Sequence, residues 1–133
     1  PGETGMDRWI AWDKGDFVGK QAALAEKEAG PARKVVTLEV DADDADASGF
    51  EPVWMDGKKV GFVTSGGYGH TMRKSYAMAM VDAAAAAEGT ALSVHVVGVE
   101  RPATVIAASP YDPDGNAMRG KPVAQPRVAE PAE

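Results

Sequence analysis

The sequence predicts a mostly β fold, a small antiparallel six-stranded barrel preceded by one N-terminal helix. Three observations lead there. Short runs rich in β-branched and aromatic residues recur between residues 33 and 107, with turn signals between them. Only one segment has the composition of a helix, and none of useful length separates the later strands, which excludes a parallel α/β sheet. Closing such short strands into a barrel also removes their exposed edges.

Each element has its own signal. Residues 6–16 carry Trp9, Ile10 and Trp12 among charged neighbours, large apolar side chains that need something to pack on. The helix is expected from Gly19 to Ala29, where Gln21, Ala22, Ala23, Leu24, Ala25, Glu26 and Lys27 are mostly good helix formers. Gly30-Pro31 supplies its stop. Strands are expected at Arg33 to Asp41, Pro52 to Trp54, Val60 to Thr64, Tyr76 to Val81, Leu92 to Val99 and Ala103 to Ala107. Asp56-Gly57 marks a hairpin turn between the second and third, and Val99-Glu100-Arg101 a turn into the last. The acidic segment from Asp41 to Ser48 holds no large apolar residue and reads as a solvated, mobile loop.

The chain therefore divides into a linker and leading segment over 1–15, the helix and barrel over 16–112, and a polar, proline-spaced tail over 113–133 expected to be disordered. Pro1-Gly2-Glu3-Thr4-Gly5 reads neither as a signal peptide nor as the start of a chain, so the sequence is expected to begin inside a longer protein.

Composition narrows function. A chain of 133 residues, 44% apolar, builds one core. At this size it buries about two-thirds of its unfolded surface, leaving little for an enclosed catalytic pocket, so a ligand site needs another domain. Twenty acidic against 14 basic residues give a formal charge of −6, much of it in Glu39, Asp41, Asp43, Asp44 and Asp46. Such a field repels phosphate backbones and anionic lipid, which argues against nucleic-acid and membrane partners. With no cysteine, a disulfide scaffold, a thiol nucleophile and a zinc–thiolate site are excluded, and the expected location is cytoplasmic. No apolar run approaches the roughly 20 residues that cross a bilayer.

Chemistry concentrates in Ser65-Gly66-Gly67-Tyr68-Gly69-His70-Thr71. Read from the residues alone, this is either an open glycine turn whose N–H groups meet a ligand or neighbouring domain, or a bulge or loop that needs positive φ. It is neither a phosphate loop nor a dinucleotide fingerprint. His70 and His95 lack a third ligand at metal-site spacing, and His95 fits the outer face of a strand. Ser65 and Ser109 lie in no nucleophile-elbow context, and the carboxylates from Asp41 to Asp46 sit where nothing raises a pKa. Tyr76, Met78 and Met80 share one strand face, read as core packing rather than metal ligation. Trp9, Trp12, Phe17 and Tyr111 form either a satellite cluster or a surface for absent domains. No catalytic residue and no metal ligand is expected.

Two blocks carry a family resemblance. Trp9-Ile10-Ala11-Trp12-Asp13-Lys14-Gly15-Asp16-Phe17-Val18-Gly19-Lys20-Gln21-Ala22-Ala23-Leu24 resembles the way into the last domain of the glycine-cleavage T-protein (aminomethyltransferase) family. There a tryptophan-containing segment leads through Lys-x-Asp-Phe-Ile-Gly-Lys/Arg-x-Ala-Leu into a helix. Val60-Gly61-Phe62-Val63-Thr64-Ser65-Gly66, then His70-Thr71 and Ala77-Met78-Ala79-Met80-Val81, resembles the family's Gly-x-Ile-Thr-Ser-Gly segment and its continuation. The blocks keep order and separation, spanning residues 6–112. Gly67-Tyr68-Gly69-His70-Thr71 replaces the Ser-Pro-Thr loop of T-proteins and looks more like the folate domains of dimethylglycine and sarcosine dehydrogenases.

The resemblance implies a C-terminal accessory barrel that closes the folate chamber while a one-carbon group passes from an N-methyl or aminomethyl donor to tetrahydrofolate. That cofactor would be bound mainly by upstream domains of the same polypeptide, with FAD in a separate domain of a dehydrogenase-type parent. The small N-methylated amine or aminomethyl carrier would likewise meet the parent, and the 133-residue chain by itself is expected to be inactive. The expected cofactor-facing residues are Lys14 and Tyr111, by the resemblance, and Tyr68 and His70, by the glycine segment that carries them, with Lys14 and Arg101 as cations for the anionic glutamate tail. A folate-binding or protein-interaction module without transfer activity is the alternative.

Overall fold

The computed structural model describes residues 1–123. After two short 3-10 turns, helix α1 runs over Lys20–Ala29, between Gly19 and Gly30, both at positive φ. Six strands follow: β1 (Arg33–Val40), β2 (Pro52–Met55), β3 (Lys58–Gly69), β4 (Lys74–Asp82), β5 (Ala91–Val96) and β6 (Val99–Ile106). They close into an antiparallel barrel in the order β1-β4-β3-β2-β5-β6, so β1 pairs with both β4 and β6. The expected helix, six strands and closed sheet are all present.

The interior is aliphatic. Leu38, Val53, Val63, Val81, Val94 and Val105 are fully buried, and Ala77, Ala79 and Ala103 fill the space between them. A closed sheet of so few strands has a narrow interior, which favours valine and alanine over larger side chains. Tyr76, Met78 and Met80 are consequently on the outside; Met78 is 47% exposed. The core role expected for them falls to their neighbours Ser75, Ala77, Ala79 and Val81.

Turn chemistry explains two boundaries. Asp56 and Gly57 both take positive φ, as the hairpin signal predicts. The β5–β6 turn lies at Val97-Gly98, also both positive, and not at Val99-Glu100-Arg101. A β-branched residue rarely adopts that conformation, so Val97 concealed the turn that Gly98 marks. The Val97 N–H is held by Glu51 Oε1 at 2.7 Å.

The helix is peripheral, with no buried residue, and the leading segment lies beside the start of β1, where Arg33 Nε meets Glu3 Oε1 at 3.3 Å. Of the tail expected to be disordered, residues 113–123 carry a local turn in which the Asp112 carboxylate accepts the Asn116 and Ala117 N–H groups. Residues 124–133 lie outside the described residues.

Candidate functional site

The register of β3 determines which of its side chains reach the barrel mouth. Val63 pairs with Ala79, both buried, but the next pairing is Ser65 with Met78, so Thr64 is the extra residue of a bulge. Its hydroxyl donates to the Met78 carbonyl at 3.0 Å. A one-residue shift exchanges the two faces of a strand. Beyond the bulge Tyr68 pairs with buried Ser75 and turns to the mouth, whereas without it Tyr68 would point outward. His70, in the following turn, meets the Tyr68 ring edge-on at 5.1 Å.

None of the three glycines Gly66, Gly67 and Gly69 has positive φ, and two of them serve close approach instead. A Cβ on Gly66 would lie 2.2 Å from the Ala47 carbonyl oxygen, and one on Gly69 would lie 2.7 Å from the Tyr76 ring. Around Gly67 the space is open. Two of the three are thus occupied by contacts within the chain, and the segment belongs to β3 rather than to an open loop.

The acidic segment covers this same mouth and is anchored, contrary to the expectation of a mobile loop. Ala47 is buried, Asp46 Oδ1 accepts the Ser75 hydroxyl at 2.6 Å, and Arg101 lies 3.7 and 3.4 Å from the Asp43 and Asp44 carboxylates. Small apolar residues do the anchoring: Ala42 and Ala45 also pack on the core. Arg101 is therefore engaged within the chain.

Together these elements bound a cleft of about 680 Å³ containing Tyr68, Arg73, Lys74 and five carboxylates, Glu39, Asp41, Asp43, Asp44 and Asp46. Lys74 Nζ lies 2.8 Å from Glu39 Oε1, and that hydrogen bond, followed by the attraction of the charge, raises the lysine pKa. Tyr76 beside them is raised by partial burial first and by Glu39 second. Among the described residues, no group of three or more His, Asp or Glu side chains is placed to hold a metal ion.

The sequence-derived candidates divide between two areas. Tyr68 and His70 stand together where β3 turns into β4, the end marked by Val40 of β1. Lys14 is exposed in the leading segment, and its carbonyl accepts the Lys20 ammonium. That segment packs at the opposite end of β1, around Lys34 and Val35, in a cleft of about 320 Å³. Trp12 lines this cleft and carries Lys27 over its ring at 4.3 Å. Trp9 is 76% exposed. Tyr111 follows β6; its carbonyl accepts the Ser109 hydroxyl, and it makes no ring contact with Tyr68 or His70. His95 is on an outer strand face, as expected, stacked on Trp54 at 5.2 Å. Sequence reasoning did not single out Phe50, held at φ 72 and 88% exposed against Phe62; Gly49 before it was the only local signal.

Comparison with known proteins gives a consistent result. The family described as the glycine cleavage T-protein C-terminal barrel domain matches residues 33–112, which leaves Lys14 outside the matched span. Mouse mitochondrial dimethylglycine dehydrogenase is 39% identical over 107 residues, which are 80% of this chain and 12% of that protein. An aminomethyltransferase from Thermoanaerobacter pseudethanolicus is 32% identical over 111 residues, 84% of this chain and 30% of that protein. The crystal structure of the glycine cleavage system aminomethyltransferase T from Bartonella henselae superposes with a TM-score of 0.70 at 26% identity, covering 80% of this chain and 30% of that one. The chain thus spans less than a third of these relatives.

Proposed function

The chain belongs to the glycine cleavage T-protein C-terminal barrel domain family, and on that premise we propose that it is the wall closing one side of a tetrahydrofolate chamber in a larger one-carbon-transferring enzyme. The parent would take its one-carbon unit from an N-methyl or aminomethyl donor. The observation that carries this reading is the Thr64 bulge, which turns the Tyr68 ring to a cleft at the barrel mouth. The interior is filled by Leu38, Val53, Val63 and their neighbours, so a ligand meets the barrel from outside, with other domains supplying the rest of its contact.

The residues present fit one part of this cofactor better than another. A flat half-exposed ring and a carboxylate-rich rim suit a planar heterocycle bearing N–H donors. The same rim disfavours an anionic glutamate tail. Tyr68 and His70 would therefore line the ring, and Lys14, from the other end of β1, would serve the tail, with Tyr111 as a further aromatic contact. Bound tetrahydrofolate would supply the nitrogen acceptor for the one-carbon unit. This chain's residues would position it and exclude water, not move protons. A flavin, if the parent is of the dehydrogenase type, would belong to a separate domain. A cytoplasmic location is part of the proposal; the mouse relative carries the word mitochondrial in its name.

The test uses the full-length protein. Tyr68→Ala should weaken tetrahydrofolate binding about two- to thirteenfold, the effect of losing one ring contact of about 0.5–1.5 kcal/mol. The melting temperature of the 133-residue chain should stay nearly unchanged. In hydrogen exchange, the cofactor should protect the amides of residues 68–70. Unchanged affinity together with a destabilised chain would reduce Tyr68 to a packing residue and favour a binding module of another kind.

A further inference from the structure

Outward-facing strand positions of a water-exposed barrel are normally polar. Here one sector breaks the rule. On the outer face, Pro52 of β2 pairs with Phe62 of β3, Phe62 with Met80 of β4, and Met80 with Val35 of β1. One apolar row therefore crosses four neighbouring strands, with Met78 beside it at 47% exposure.

Phe50 adds to this row beside Phe62. Its ring stacks on Phe62 at 6.4 Å and 14°, yet it is 88% exposed. It is held at φ 72, a conformation that costs a bulky residue free energy and persists only where the surroundings enforce it. They do: Phe50 N–H donates to the Val63 carbonyl at 2.7 Å, and the Glu51 carboxylate accepts the N–H groups of Ser48 and Val97. A rigid, strained bend thus displays an aromatic ring to solvent, the form of a preorganised interface anchor.

The Val35 end of the row identifies what covers it. Val35 already lies in the cleft under the leading segment, the N-terminal part of the described chain. The matched span is 12% and 30% of the length of these relatives, and the matched family is a C-terminal domain, so their additional chain precedes this barrel. We infer that the outer face of β2, β3 and β4, anchored by Phe50, Phe62, Met78 and Met80, is the docking surface for an apolar face of the preceding part of the same polypeptide. The inference rests on the reading of the chain as one wall of a larger enzyme and assigns that wall its attachment side. The Tyr68 mouth is left free for the cofactor.

Thiol footprinting tests it, since the chain has no cysteine. Met78→Cys and Phe50→Cys should be alkylated at least tenfold more slowly in the full-length protein than in the 133-residue chain, followed by peptide mass spectrometry, while Glu88→Cys labels equally in both. Equal labelling at positions 78 and 50 in the two proteins overturns the inference. Slow labelling already in the 133-residue chain, rising with its concentration, assigns the face to a second copy and overturns it too. Phe50→Gly adds a test by sign: it relieves the positive φ, so the short chain should melt no lower, while the full-length protein should melt lower. Tetrahydrofolate binding to the unmodified full-length protein is measured separately. Protected thiols without folate binding sink the chamber reading alone, and folate binding with freely labelled thiols sinks the docking surface alone.

Discussion

The two faces of β4 differ in an unexpected direction. Ser75, Ala77, Ala79 and Val81 point into the barrel, while the larger Tyr76, Met78 and Met80 point out. Size and hydrophobicity would assign them the other way. The difference teaches that alternation identifies two faces of a strand but not which one is inside. In a closed ring of six strands the interior is limited by volume, so the small residues win it. The large ones are then left for an outer surface that a neighbour covers.

The contrast between faces breaks most clearly by truncation. Leu38→Ala, inside, should cost about 2–5 kcal/mol in urea unfolding. Met78→Ala, outside, should stay within about 0.5 kcal/mol in the 133-residue chain. Equal losses would mean that the outer face already contributes to the stability of this chain by itself.

A smaller effect sharpens the contrast within the glycine segment. Gly66→Ala forces a methyl against the Ala47 carbonyl oxygen and should cost about 1–3 kcal/mol, comparable to overpacking a core site. Gly67→Ala enters open space and should change stability by under about 1 kcal/mol. If both are neutral, the acidic segment does not rest on β3 in solution.

The smallest effect is electrostatic. Lys74→Met should cost between about zero and 1 kcal/mol, because the Lys74–Glu39 pair is largely exposed. The Lys74 pKa is raised above 10.5, so its contribution is fully present below that value and is lost as pH rises through the raised one. The stability gap between the unmodified chain and Lys74→Met should therefore close as pH passes 10.5. A gap that persists would point to packing by the lysine stem instead.

Much of the fold was legible because its signals are local. Gly30-Pro31 ended the helix and Asp56-Gly57 made a hairpin, as their backbone preferences require. What stayed hidden depends on tertiary context. Nothing in Thr64 announces a bulge, yet the bulge decides where Tyr68 points. Nor does an alanine among aspartates announce burial, although Ala47 fixes the acidic segment to the mouth. Of the candidate site, the pairing of Tyr68 with His70 could be expected from their nearness in sequence. The distance of the leading segment's Lys14 from that mouth could not, because it follows from how the chain wraps around β1.

The ring of strands is closed by β1 against β6, the first strand to be synthesised and the last. On the ribosome, β1 has one partner as soon as β4 has emerged, but its other side stays unpaired until residues 103–106 appear. Until then the nascent chain carries an open sheet edge next to its apolar interior, the kind of surface that pairs with the wrong strand. A message or protein cut short before Ile106 would thus produce an adhesive product rather than a slightly smaller domain. Closure late in synthesis makes this barrel an all-or-none unit, able to be joined behind different enzymes whole but not in part.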